Sequence, residues 1–135
     1  YRKLKDMKNV EYSSNVSNEE IRAELINTHI FAYPNVWPES SCLAAIEAMS
    51  AKNLLVLPNL AALKETGSKS KFLYNFTNNA SEHVKIFQKK LTLAIQFVQK
   101  QSEDYKSHLD ELKIYADNNH NLNEYLKKWE RVLSK

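Results

Sequence analysis

The stretch Pro34 to Glu47, PNVWPESSCLAAIE, constrains this chain more than any other. The apolar run His29 to Tyr33 leads into a loop ending Trp37-Pro38-Glu39, and Ser40, Ser41 and Cys42 then open an amphipathic segment, Leu43 to Met49. Strand, loop and helix start in that order make an anion site. The first helical N–H groups lack intrahelical partners, and the macrodipole leaves partial positive charge there. Ser40 or Ser41 is the expected N-cap. Seven residues separate Glu39 from Glu47. At roughly 100° per residue, eight steps return to within about 80° of the same side. One acid sits at the helix mouth and the other about two turns in.

The surrounding pattern predicts an α/β chain. Val10, Tyr12 and Val16 alternate loosely and read as a strand over 9–16. Ser17 with Glu20 three residues on is a capping box, predicting a helix over 18–27 with Ile21 and Leu25 inward. A buried strand follows at 29–33, the motif helix at 41–51, and a third strand at 54–57 closed by Pro58-Asn59. A short helix over 61–66 stops at Gly67. Strands alternating with helices imply a parallel sheet with right-handed crossovers, whose ligands bind beyond the carboxyl ends of the strands. Glu39, Ser40 and Asn59 fall at that edge.

Past Ser68 the character changes. Phe72 to Phe76 reads as one more short strand. A long helix follows Asn78-Asn79, with Val84, Phe87, Leu91, Ala94, Ile95 and Val98 at helical spacing. A second spans 103–117, and a third begins at Leu122 and carries Tyr125, Leu126, Trp129, Val132 and Leu133. The stripes at 84–98 and 122–133 read as core. The whole is one domain over 1–135, an α/β part at 1–76 and a helical tail at 77–135.

Composition narrows the class. At 135 residues, 43% hydrophobic and 26% charged, the chain is long enough for one domain with a real core. A net charge of +3 does not argue for nucleic acid. One cysteine precludes an internal disulfide framework and fits a reducing compartment. The histidines at 29, 83, 108 and 120 show no metal-ligand spacing with each other or with Cys42. Lys89-Lys90 and Lys127-Lys128 read as solvated faces, with peripheral contact to the cytoplasmic face of a membrane as the secondary reading.

The ordered pieces resemble the E-x7-E region of retaining GT-B glycosyltransferases, which use nucleotide sugars. The matching segments are Tyr33-Pro34-Asn35, Glu39-Ser40-Ser41-Cys42, Ile46-Glu47-Ala48-Met49-Ser50, Leu54 to Leu57, and Ala61-Ala62-Leu63-Lys64-Glu65. Upstream, Asn9 to Tyr12 and Ser17 to Ile21 look like the preceding strand and helix start, so the likeness runs over about residues 9 to 67. It implies a Rossmann-like sheet, the donor-binding half of a GT-B fold, and sugar transfer with retention from a nucleotide diphosphate sugar to an acceptor hydroxyl, without a metal. It also implies an N-terminal acceptor domain as partner, a cytoplasmic setting, and a last helix packing back across the domain boundary. Tyr1 is not an initiator Met, and YRKLKD reads as the end of a helix, so the sequence is expected to be part of a larger two-domain enzyme.

By the same resemblance, Glu39 contacts the donor sugar at the reacting centre and Glu47 accepts from the ribose hydroxyls. Ser40, Ser41, Cys42 and Leu43 offer backbone N–H groups to the diphosphate, and Asn15 and Val16 border the base. Residue by residue, bland readings stand alongside: a solvated loop acid, an exposed helix acid, simple capping, an ordinary strand end. Glu47 is expected to be buried in its apolar helix, and Cys42 to have a lowered pKa at the helix start. Trp37 reads first as a loop-packing aromatic and second as a sugar or partner contact. Two departures weigh on activity. Ser40 and Cys42 stand where the family has glycines, as do Ala61-Ala62 in the later turn. They support the alternative, a non-catalytic Rossmann-like interaction module with a decayed nucleotide site.

Overall fold

The computed structural model describes residues 6–134. The helix end expected over 1–6 lies outside the described residues except for Asp6, which is in a turn. Among the described residues the elements are, in order, α1 (Asn18–Asn27), β1 (Ile30–Ala32), α2 (Leu43–Ser50), β2 (Leu54–Val56), α3 (Leu63–Thr66), α4 (Ala80–Lys100), α5 (Glu103–Asn119) and α6 (Leu122–Leu133).

Local chemistry sets most of these boundaries. At α1 the capping box is complete, the Glu20 N–H donating to Ser17 Oγ and the Ser17 N–H to Glu20 Oε2. Asn79 caps α4 by accepting from the Glu82 N–H, and Ser102 caps α5 by accepting from the Tyr105 N–H, one-way caps rather than boxes. The motif helix is the exception. Its N-cap is Cys42, which makes no side-chain cap bond, so neither Ser40 nor Ser41 has the expected role.

β1 and β2 pair in parallel, Ile30 opposite Leu54 and Ala32 opposite Val56. A single parallel bridge, Pro58 to Tyr74, extends the sheet on the far side of β2 and is all that forms of the strand expected at 72–76. The strand expected at 9–16 is absent. Asn9 and Asn15 have left-handed backbone, φ 64° and 52°, which interrupts an extended ladder. The fold is thus mixed α/β, with 56% of the described residues helical, around a small two-stranded parallel sheet.

Leu54, Leu55, Val56 and Leu57 have no exposed surface, which explains an apolar run with no alternation. α4 packs on both strands, and α2 lies between β2 and α5. Ala45, Ala48 and Met49 of α2 join Tyr105, Leu112 and Ala116 of α5 in one core, so the helices beyond residue 76 share the core of the α/β part. Buried Asn53 stitches the end of α1 to the start of β2. It donates to the Leu25 carbonyl and accepts from the Thr28 hydroxyl, satisfying a polar side chain that burial would otherwise penalise.

Two stripes depart from the core assignment. In α4, Phe87, Leu91, Ala94 and Val98 turn inward while Val84 and Ile95 face solvent. In α6 nothing is buried, and Leu122, Leu126, Trp129, Val132 and Leu133 are all more than half exposed. Helical periodicity identifies an apolar face but not whether anything covers it. No helix among the described residues is long and apolar enough to cross a membrane.

Candidate functional site

Beyond Ala32 the chain leaves the sheet and folds over itself. The Tyr33 N–H still donates to the Val56 carbonyl, and two residues on, Asn35 is buried. Its side chain holds the main chain of Trp37 at both ends: Oδ1 accepts from the Trp37 N–H at 2.8 Å, and Nδ2 donates to the Trp37 carbonyl at 2.6 Å. Nδ2 also reaches Glu39 Oε1 at 3.2 Å, and the Tyr33 hydroxyl donates to that same oxygen. The Glu39 carbonyl accepts from the Ala62 N–H, tying the loop after β1 to the loop after β2. Glu39 is therefore a brace at the carboxyl edge of the sheet, half-buried, with neutral donors around it.

The neighbours carry the electrostatic consequence. Tyr33 is pushed up to about 12, first because its hydroxyl donates to Glu39 and then by burial. Cys42 is pushed up to about 11, chiefly by burial and further by Glu39, against the lowering effect of the Ala44 and Ala45 N–H groups. This reverses the expectation of an acidified thiol. The helix start is present, but desolvation of the thiol of Cys42, a residue only 4% exposed, outweighs it.

Glu47 also differs from expectation. It is not enclosed in α2 but lies at the surface, its side chain 37% exposed, with Oε1 held by Arg22 of α1 at 3.1 and 3.2 Å. α2 buries only the stripe Ala45, Ala48 and Met49, and Glu47 points away from it. Arg22, Glu47, Leu25, Ile26, Ile46 and Ser50 line a groove of about 340 Å³ between α1 and α2. Glu39 is not among its lining residues, so the two acids of the motif face different surroundings.

The remaining candidates divide. Ser40 and Ser41 are exposed, and Leu43 is 71% exposed at the start of α2. Val16 lines a second groove, about 430 Å³, with Glu11, Glu20 and Glu24, while Asn15 is exposed beside it. Three carboxylates make that groove unfavourable for phosphate. Trp37 is 73% exposed and does not pack on its loop. Glu65 lies exposed on α3. Among the described residues no group of three His, Cys, Asp or Glu is arranged to hold a metal ion.

Ala61 connects this site to the sequence pattern. Its φ is 48°, a left-handed conformation that alanine rarely adopts, and it stands where the resemblance calls for glycine. Arg22 and Asn35 are the site residues that sequence reasoning missed. An arginine in mid-helix and an asparagine after a proline carry no local signal, since each acts on a residue that only folding brings to it. Comparisons with protein-family models, with curated proteins and with solved structures found no match.

Proposed function

We propose that this chain is the donor-binding part of a retaining glycosyltransferase with a Rossmann-like GT-B architecture. The reaction is transfer of a sugar from a nucleotide diphosphate sugar to an acceptor hydroxyl, in glycan or polysaccharide assembly on the cytoplasmic side of the cell. The observation that supports it most is the left-handed Ala61, bonded through its neighbour Ala62 to Glu39. The backbone keeps a glycine's conformation where the motif has glycine, although the residue has changed.

In this reading Glu47 and Arg22 form the ribose and phosphate end of the site. Glu47 accepts from ribose hydroxyls, and the guanidinium, released from the pair, turns to the diphosphate. An exposed pair of this kind is worth under about 1 kcal/mol, so a ligand can displace it. Glu39, braced by Tyr33 and Asn35, lies toward the sugar. The uncovered stripe of α6 is the surface on which the acceptor domain packs.

A second reading has its own support. Both acids are already satisfied within the chain, and Ser40 and Cys42 replace glycines. An interaction module with a decayed nucleotide site would show the same features. Calorimetric titration with UDP, GDP and ADP separates the two. Binding of one nucleotide, abolished by Glu47→Ala, supports the transferase reading. Silence, repeated with the acceptor domain supplied, favours the module.

A further inference from the structure

The indole of Trp37 is displayed rather than packed. Tryptophan is the largest apolar side chain, and a loop free to collapse would cover it. Here the loop is held open from beneath. Buried Asn35 bonds both the N–H and the carbonyl of Trp37, and its amide nitrogen is tied to Glu39, which Tyr33 holds in turn. Every one of these bonds grips main chain or an acid, and none involves the indole. The ring is left 73% exposed two residues from Glu39, next to Val36, which is 66% exposed.

We infer that Trp37 is a stacking face for a pyranose ring. The C–H face of a sugar lies flat on an aromatic ring while its hydroxyls bond to surrounding polar groups. The exposed Ser40 and Ser41, freed from capping α2, are such groups within four residues. A rigid aromatic loses little conformational freedom on binding, and the Asn35 clamp has already fixed its backbone. A nucleobase would also stack on an indole, but the Arg22–Glu47 groove that takes the nucleotide does not include Trp37. The inference rests on the transferase reading for its choice of ligand. The sugar is that of the donor or that of the acceptor, and the chemistry of the face is the same for both.

The test follows the indole N–H resonance of Trp37 by NMR in a Trp129→Phe background, where it is the only tryptophan. The probes are UDP, GDP and ADP, then UDP-glucose, GDP-mannose and ADP-glucose, and separately the methyl glycosides of glucose, mannose and galactose. A shift with a nucleotide sugar, absent with the bare nucleotide, supports a donor-sugar face. A shift with a methyl glycoside alone supports an acceptor face. Trp37→Ala should weaken that binding about tenfold, the scale of one aromatic contact, and Trp37→Tyr should restore most of it. The melting temperature should not change, because the clamp holds only the backbone. A shift with bare nucleotide overturns the inference in favour of base stacking. No shift with any probe overturns it too, and whether nucleotide still binds through Glu47 then decides the transferase reading separately. A marked loss of stability in Trp37→Ala would make the indole structural and would also overturn it.

Discussion

Arg22 and Glu47, on two helices and 25 positions apart in the chain, meet at 3.1 Å across an open groove. The pair is more than a third exposed on both sides. Solvent screening and side-chain entropy leave such contacts worth at most about 1 kcal/mol. Glu47→Ala and Arg22→Ala are each expected to shift the urea midpoint by an amount within that limit. Losses of several kcal/mol in either variant would show that the acid is part of the core, as its apolar helix suggested.

Ala61 is the clearest place where sequence and backbone disagree. A left-handed alanine costs about 1–2 kcal/mol relative to glycine. Glycine's additional freedom in the unfolded chain takes back about 0.4–1 kcal/mol. Ala61→Gly should therefore stabilise the protein by about 0.5–1 kcal/mol, and Ala61→Val should destabilise it by more than that. Equilibrium denaturation of the two variants measures both signs.

Gly67, the only glycine in the chain, is required for a different reason. Its φ of −89° is open to any residue, and α3 stops at Gly67, as expected, without a left-handed turn. A Cβ at this position would lie 2.6 Å from Leu57 Cδ1 and 2.9 Å from the Leu63 carbonyl oxygen. The leucine tip can move, whereas the helix carbonyl cannot. Gly67→Ala should cost about 1–3 kcal/mol through overpacking. Thermal melting that matched the unchanged protein would refute the steric account.

His108 makes stability depend on pH. It is buried against Phe97 beneath Lys71, and burial, with a smaller contribution from Lys71, lowers its pKa despite Glu111 and Asp104 nearby. The folded state thus favours the neutral ring. Stability is complete above the unfolded histidine value of about 6.5 and is lost as pH falls through the lowered folded value. Urea midpoints should fall between pH 8 and pH 5, and less steeply in His108→Gln. His120 shifts in the same direction through burial, so part of the slope should remain.

How much could be read in advance depended on the range of the interaction. Ser17 with Glu20, Asn79 and Ser102 act within three residues, and each marks a helix start where expected. Leu54 to Val56 is a strand because it lies in a run of four apolar residues, Leu54 to Leu57, all of them buried. The segment at 9–16 had alternation without such constraint, and two asparagines turned it out of the sheet. At the site, the positions of Glu39 and Glu47 were legible from spacing, but their partners were not.

The sequence by itself determined where helices start, which segments are too apolar to face water, and that a loop with an acid links β1 to α2. Those follow from contacts a few residues apart and from hydrophobic pattern. Tertiary structure alone decided that Arg22 reaches Glu47, that Asn35 clamps Trp37, that Cys42 is held as a thiol, and that the apolar stripe of α6 is exposed. Each of these depends on which surfaces end up in contact or out of water, and desolvation and pairing are properties of the folded neighbourhood, not of the residue.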